Sequence, residues 1–196
     1  RDSIIDPVRE GFDCVLQIFE PVSDSLIAQK LYAWRGVFCA SPGYLQRHGA
    51  PAHPGELNQH RLGLYSRYPW RNQWQFSRAG VAEPPLRLSP ALQSNSVHLL
   101  RDYACSGSGV VCIPTLIAAP ELMAGTLQVV IPEYEMPIVW LCAVYPVAQR
   151  GQLKLKLFLD ELAATPGDVP PWDKALIERG LIARPAGIPP HDPSPT

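Results

Sequence analysis

No apolar run in this sequence approaches the roughly 18 residues of a membrane helix, and its first residues lack the basic start and apolar core of a signal peptide. A metal-binding pattern is missing too. His53, Glu56 and His60 could share a helix face, but Pro54 and Gly55 interrupt it and no further ligand stands nearby. We therefore expect no membrane association, no metal site and no cofactor.

The sequence also lacks a basic stripe. Its formal net charge is −1, and its 17 Lys and Arg residues are scattered along the chain. Proteins that hold nucleic acid concentrate positive charge on one surface, because that charge neutralises the phosphate backbone. We expect that this chain does not bind DNA by itself.

Paired cysteine motifs are absent as well. The five cysteines are odd in number, contain no C-x-x-C pair and lie within apolar stretches. Reduced thiols in apolar surroundings are typical of cytosolic proteins, whereas secreted domains use cysteines as disulfides. The sequence therefore predicts buried free thiols and a cytoplasmic location.

What the sequence does contain is an alternation of strand and helix patterns, with 46% hydrophobic residues to form a core. This alternation predicts an α/β fold. Short helices are expected at 7–11 and 42–48, the second capped by Ser41 and stopped by Gly49. The last helix, at 153–164, has Leu155, Phe158 and Leu159 on one apolar face with Leu162. The remaining predicted strands and helices are strands at 12–18, 25–31, 36–40, 61–66, 86–92, 110–113, 127–131 and 137–145, and helices at 56–60, 96–105 and 119–124.

The most informative stretch is residues 93–115, a helix between two turns. Ser94, Asn95 and Ser96 are residue types that accept hydrogen bonds from the free N–H groups at a helix start. Those N–H groups and the positive end of the helix dipole would also suit a carboxylate or another anion. Two interpretations therefore stand at this point, an ordinary N-cap and an anion-binding helix start.

The turn after this helix does not support an enzyme. Ser108 has glycine at both immediate neighbours and follows a helix, whereas a nucleophile elbow needs Gly two residues away on a strand-to-helix turn. A dinucleotide fingerprint fails because Cys112 stands where its third glycine would be. Since no nucleophile is paired with a base at a recognisable spacing, the sequence predicts a non-enzymatic protein.

Residues 65–78 mix aromatic and basic side chains, a combination that can stack nucleotide bases. The alternative is a twisted hairpin with residues 70–74 at its tip. The segment has only five such aromatic and three arginine side chains and no wider basic surface around them, which favours the hairpin.

Composition changes after Thr165, where prolines become frequent. Such a segment cannot bury enough apolar surface to order itself, so residues 165–196 are expected to be mostly extended or disordered, with one helical patch at 174–179.

Several motifs follow one another along the chain, at residues 8–18, 26–31, 39–45 with His48 and Gly49, 107–114, and 143–146. Together they resemble the effector-binding domain of LysR-type transcriptional regulators, over about residues 1–164. The resemblance implies a two-lobed fold like that of type 2 periplasmic binding proteins, with two crossover strands and a small effector in the cleft between the lobes. The first lobe would be 1–34 plus 138–164, and the second 35–137.

The same resemblance implies where an effector would bind. In that family the polar start of the corresponding helix faces the cleft, which makes Ser94, Asn95 and Ser96 the best ligand candidates. The end of the first strand, at Ile18 and Phe19, would line the opposite wall. A small effector of anionic or aromatic character is expected.

The family's helix-turn-helix, its linker helix and the opening strand and helix of its effector domain do not appear in this sequence. The first lobe is therefore expected to be incomplete, with rapid hydrogen exchange at residues 14–18. Contact with DNA would need the missing N-terminal domain, and homo-oligomers would belong to the intact regulator. The alternative is a free-standing solute-binding protein of the same fold.

Overall fold

The computed structural model describes residues 6–18, 23–68, 70, 72–163 and 169–184. Short 3-10 helices form at Pro54–Gln59 and Val147–Gln149. The α-helices of the described residues are α1 (Pro7–Glu10), α2 (Pro42–His48), α3 (Val97–Cys105), α4 (Thr115–Ala124), α5 (Leu153–Ala163) and α6 (Pro171–Glu178). Their strands are β1 (Val15–Gln17), β2 (Leu26–Trp34), β3 (Gly36–Ala40), β4 (Leu62–Tyr65), β5 (Gln73–Trp74), β6 (Ser77–Arg78), β7 (Val81–Ala82), β8 (Leu86–Arg87), β9 (Leu92–Ser94), β10 (Val110–Pro114), β11 (Gln128–Val129), β12 (Tyr134–Glu135) and β13 (Val139–Pro146).

The chain divides into two compact units. Unit I contains the described residues of Asp2–Trp34 and Ile138–Pro171, and unit II contains Arg35–Pro137 and the described residues of Trp172–Ala186. Within the part of the chain that the structure describes, no helix has both the length and the hydropathy of a membrane span.

Unit I is a three-stranded antiparallel sheet in the order β1-β13-β2, covered by α5. Leu155 and Leu159 of α5 are buried against the sheet, and the Tyr32 hydroxyl donates to the Leu162 carbonyl at 2.8 Å. Phe158 was expected on the same buried face but is 45% exposed. The spacing explains this difference, because Leu155, Leu159 and Leu162, at positions i, i+4 and i+7, already form the apolar stripe of α5 without Phe158.

Unit II is built on a five-stranded sheet in the order β11-β3-β10-β4-β9. Strands β10, β4 and β9 run parallel, and β3 pairs antiparallel with both of its neighbours. Every residue of β4 and β10 is buried, as expected for unbroken apolar strands in a covered sheet. Helix α3 packs closely on β4 because Gly63 brings its backbone near Leu100 and Tyr103.

The aromatic segment differs from the predicted hairpin with its tip at 70–74. The turn lies at Ala79 and Gly80, whose φ angles of 50° and 78° suit the tight connection between β6 and β7. Strand β5 instead pairs with β8. The single strand expected at 86–92 is divided into β8 and β9, since Pro90 interrupts the run.

Helix α4 begins earlier than expected. It starts at Thr115, directly after the extended Pro114, and it continues through Pro120. Proline is well tolerated before the first helical turn, so Pro114 ends the strand and allows the helix to start at once.

Part of the proline-rich stretch after residue 165 is helical, at the place where a helical patch was expected. Residues 164–168 and 185–196 lie outside the described residues, so the expectation of disorder there stays a prediction. Residues 171–178 form α6, in which Asp173 and Leu176 are fully buried. Pro171 occupies the first position of that helix, where its fixed φ favours helix initiation. The helix thus begins three residues before the expected patch, at Pro171.

The cysteines are free thiols, as predicted. Cys39 and Cys112 are buried in the sheet of unit II, and burial raises the pKa of both thiols. Cys105 differs from the prediction of core thiols, because it lies at the exposed end of α3.

His60 gives unit II an expected pH dependence. Its ring is half-buried, with Nδ1 3.3 Å from the Tyr44 hydroxyl, and desolvation and the neighbouring His48 lower its pKa below the usual 6.5, against an opposing effect of Glu56. As the pH falls below 6.5, the unfolded chain binds a proton that folded His60 resists. Stability should therefore decrease as the pH falls from 6.5 towards the folded pKa.

Urea unfolding at a series of pH values measures this effect. His60→Gln should flatten the decrease, while the matched His98→Gln variant, changed at an exposed position of α3, should keep it. Equal slopes in the two variants would exclude His60 as the source.

Candidate ligand-binding site

A pocket of about 650 Å³ lies within unit II. This volume is in the range of roughly 300–1,000 Å³ found for small-molecule sites. It is lined by Tyr65, Ser66, Trp70, Asn72, Gln73, Arg87 and Gln93.

Sheet order explains why these residues come together. Strands β4 and β9 are parallel neighbours with Tyr65 opposite Ser94, so both end at the same edge of the sheet. Tyr65 and Ser66 come at the end of β4, and Gln93 is the middle residue of β9. Ligands of open α/β sheets bind beyond the carboxyl ends of the strands, and the pocket occupies that position.

The remaining lining residues come from the small strands beside this edge. Asn72 precedes β5, Gln73 belongs to it, and Arg87 belongs to its partner β8. The Gln93 side-chain amide donates to Asn72 Oδ1 at 3.2 Å, and the Asn72 carbonyl accepts from Leu88 N at 2.8 Å. These bonds fix the amides of the wall relative to the sheet.

The charge that lines the pocket is positive. Arg87 is the one charged residue among the lining side chains, and the others are amides, a hydroxyl and aromatic rings. With a guanidinium and several hydrogen-bond donors, and without a carboxylate in the lining, the pocket suits an anion or a polar molecule with an aromatic part.

The predicted Ser94, Asn95 and Ser96 lie directly beside this pocket. The Ser94 carbonyl accepts from Ser66 N at 2.9 Å, which joins the start of α3 to the pocket wall. Both serine hydroxyls also serve the helix start: Ser94 Oγ accepts from Ser96 N at 3.0 Å and Ser96 Oγ from Leu99 N at 3.3 Å. Each hydroxyl keeps a proton to donate, and Asn95 is exposed. The N-cap interpretation therefore describes part of their role and leaves ligand binding open.

The two other predicted ligand residues belong to a different part of the chain. Ile18 follows β1 in unit I and is half-buried. Phe19 lies outside the described residues. The pocket itself is formed within unit II, so their part in ligand binding stays a prediction.

Most of the pocket lining was missed by sequence reasoning. Tyr65 and Ser66 end a predicted strand, and they would have been found if the parallel pairing of β4 with β9 had been recognised. No such signal was available for Asn72, Gln73 and Arg87. They lie in or beside β5 and β8, which have two residues each and are too short to show a strand pattern in the sequence.

The aromatic side chains near the pocket form a packed cluster instead of a surface for stacking bases. Trp74 and Phe76 are 0% and 1% exposed, and Tyr68 stacks on Trp70 with ring centroids 4.8 Å apart. Buried rings cannot receive a nucleotide, so the nucleic-acid interpretation of this segment is not supported. Among the described residues, no group of three or more His, Cys, Asp or Glu side chains could hold a metal ion.

The chain is similar to known regulators in sequence. It is 31% identical over 164 residues to the HTH-type transcriptional regulator YhjC of Escherichia coli, covering 83% of this chain and 55% of that protein. It is 30% identical over 165 residues to the HTH-type transcriptional activator TtdR of Escherichia coli, covering 83% of this chain and 52% of that protein. The chain thus spans about half the length of these relatives.

The fold is similar to solved regulatory domains. The CrgA regulatory domain, a LysR-type transcriptional regulator from Neisseria meningitidis, superimposes with a TM-score of 0.68 at 27% identity, covering 82% of this chain and 78% of that one. Full-length AphB, the Vibrio cholerae virulence activator, gives a TM-score of 0.67 at 25% identity over 84% of this chain and 55% of that one.

These similarities confirm the predicted fold class, an α/β domain of the two-lobed, periplasmic-binding-protein-like kind. The model of the LysR substrate binding domain matches residues 1–166, which is most of the sequence. The chain belongs to the LysR substrate binding domain family.

Proposed function

We propose that this chain senses a small organic anion for a LysR-type regulator of transcription, and that the anion binds in the pocket of unit II. The observation that carries this proposal is the pocket at the carboxyl ends of β4 and β9, with Arg87 in its wall and the start of α3 beside it. A guanidinium, side-chain amides and a helix start are groups that bind carboxylates in proteins.

Size and shape narrow the ligand class further. A volume of about 650 Å³ accommodates a small metabolite, while Tyr65 and Trp70 offer aromatic surface on one side. The expected ligand therefore carries at least one carboxylate directed at Arg87, with its apolar or aromatic part against these rings. Ser94, Asn95 and Ser96 would donate further hydrogen bonds, and Ile18 and Phe19 stay predicted ligand residues.

The whole protein would act through more than this chain. The relatives are named as HTH-type regulators, and this chain spans about half of their length. DNA binding would come from a helix-turn-helix domain, homo-oligomers would form in the intact regulator, and the protein would work in the cytoplasm without catalysing a reaction. A free-standing solute-binding protein is not favoured, because these relatives are regulators.

Thermal-shift titration with a panel of small carboxylates and their uncharged amide analogues tests this function. A ligand at a hundred times its dissociation constant adds about 2.7 kcal/mol to stability, which is easily detected. At least one carboxylate should stabilise the chain more than its amide analogue. A panel without any stabilising anion would count against the proposal.

Arg87→Gln tests the part that the Arg87 guanidinium plays in binding the carboxylate. It should weaken binding of the active carboxylate about tenfold or more, because a charge-assisted hydrogen bond contributes roughly 1.5–3 kcal/mol. Arg67→Gln is the matched control, since Arg67 is exposed close in sequence to the pocket but does not line it. Equal losses in both variants would indicate non-specific electrostatics and contradict the site.

A further inference from the structure

The last described segment of the chain lies beyond the part that the family model matches. That model ends at residue 166, whereas residues 171–178 form α6 and the described chain continues to residue 184. The described residues of Trp172–Ala186 belong to unit II. Unit II therefore carries a helical segment that its family match does not include.

One face of α6 is buried and the other is exposed. Asp173 and Leu176 are fully buried, and they lie three residues apart, on the same side of the helix. Lys174, Ala175 and Glu178, on the other side, are exposed. A short helix held along one side by anchors at this spacing has the geometry in which protein grooves bind helical peptides.

The side chain of Arg35 in unit II contacts this segment at two places. Its Nη1 donates to Asp173 Oδ2 at 3.1 Å, in the first turn of α6, and its Nη2 donates to the Ala183 carbonyl at 3.0 Å, beyond the end of the helix. Ile182, next to that carbonyl, is 5% exposed and adds an apolar anchor. Because a guanidinium presents its N–H donors in a rigid fork, it selects a segment that places a carboxylate and a carbonyl at matching positions.

The backbone of Arg35 is held by other parts of unit II. Its carbonyl accepts from Thr115 N at 2.9 Å, at the start of α4. The next residue, Gly36, pairs with Pro114 where β3 and β10 meet. Neither contact involves the C-terminal segment, so the anchor for the segment is positioned by unit II itself. Such preorganisation lowers the cost of binding.

The ion pair suits selection of the segment more than permanent attachment. The Arg35 side chain is 13% exposed and that of Asp173 is 0% exposed, so both charges lose their hydration, which offsets much of their attraction. Asp173 Oδ1 is buried without a hydrogen-bond partner among the described residues, which is a further cost. A segment without the carboxylate would leave the guanidinium buried and unpaired, so the pair discriminates strongly against it.

We propose that unit II has a second binding site, separate from the effector pocket, which recognises a short amphipathic helix with an aspartate in its first turn and a leucine three residues later. Residues 169–184 of this chain occupy the site as a separable ligand. Arg35 is its anchor, whereas the effector pocket is lined by other residues of unit II. The proposal is therefore independent of whether the pocket binds an anion.

Cutting the folded full chain tests whether the segment is separable. A protease recognition sequence is placed between Pro166 and Gly167, and the protein is cut after it has folded. Native mass spectrometry should show the C-terminal piece still bound, and an isotopically labelled peptide of residues 169–184 should replace it in a saturable manner. Loss of the piece at once would show that there is no site. A piece that never exchanges, or whose departure unfolds the remaining chain by circular dichroism, would be an integral part of the core and would equally overturn the proposal.

Variants of the peptide test what the site recognises without altering the protein. The Asp173→Asn peptide should need an at least about tenfold higher concentration to replace the bound piece, because the buried guanidinium would lose its partner. Glu178→Gln is the matched control, since it removes the same charge at an exposed position of α6, and it should compete as well as the unmodified peptide, to within about twofold. Equal competition by the two variants would overturn the recognition of the aspartate.

Discussion

Replacing Gly109 with alanine is expected to lower the free energy of unfolding by about 3 kcal/mol or more, the largest effect of any single glycine change in unit II. A Cβ at this position would lie 2.0 Å from the Arg61 carbonyl oxygen and 2.7 and 2.9 Å from the ring and hydroxyl of Tyr103. The first of these contacts is with backbone, which cannot rotate away. The chain must therefore shift at the point where it enters β10.

The close approach at Gly109 has a structural purpose. Val110 N donates to the same Arg61 carbonyl at 2.9 Å, and Val110 is the first residue of β10 to pair with β4, opposite Leu62. Both Val110 and Leu62 are fully buried. Separating these strands would disturb the parallel pair whose neighbouring edge forms the pocket.

Gly43→Ala is the matched control. Gly43 lies in α2, and a Cβ there would meet no atom within 4 Å. Because alanine favours a helix over glycine by about 0.5–1 kcal/mol, this change should be neutral or stabilising. Urea unfolding followed by circular dichroism compares the two variants, and similar midpoints would contradict the packing described around Gly109.

Trp74→Ala should produce an effect of similar size, a loss of about 3–5 kcal/mol. Trp74 is fully buried, with its ring centroid 5.5 Å from that of Phe38 and 5.4 Å from that of Tyr68. Both contacts are edge-to-face arrangements, which add to the energy of area burial. The indole therefore joins the β5 region to β3 of the main sheet.

Val81→Ala is the control for Trp74. Val81 belongs to the adjacent β6–β7 hairpin and is 69% exposed, so its truncation should change stability by less than about 0.5 kcal/mol. Circular dichroism is the suitable probe, since tryptophan fluorescence changes with the mutation itself. If Trp74→Ala lost no more stability than Val81→Ala, the aromatic cluster would be a surface feature, as the base-stacking interpretation requires.

Local sequence signals predicted elements whose determinants are adjacent in the chain. For α2, Ser41 Oγ accepts from Tyr44 N, Pro42 occupies the first helical position and Gly49 follows the last. Strand β3 has the bounds expected from its apolar run. In both cases the residues that define the element lie within it or directly beside it in the sequence.

Elements that depend on distant partners were predicted poorly. Arg78 of β6 pairs with Tyr134 of β12, more than fifty residues away, and this pairing and the positive φ angles of Ala79 and Gly80 place the hairpin turn. Helix α6 depends on Arg35, a residue far earlier in the chain. Neither partner can be read from a local window.

The candidate site, too, was predicted where its determinants are local and missed where they depend on distant residues. The helix start at Ser94–Ser96 was identified from capping chemistry, which is local. The pocket needed the order of the sheet, because Tyr65 and Gln93 become neighbours only when β4 and β9 pair. The sequence therefore indicated one side of the site, and the topology supplied the rest.

Two-dimensional amide NMR of the isotopically labelled chain, during titration with the stabilising carboxylate, shows whether an anionic effector binds in the pocket of unit II. The largest and saturable shifts should fall on Ser66, Gln73, Arg87 and Gln93 and on the helix start at Asn95 and Ser96, while the exposed β6–β7 turn at Gly80 stays unchanged. Saturable shifts confined to residues away from the pocket, with Ser66 and Gln93 unmoved, would place the effector elsewhere and rule out this site.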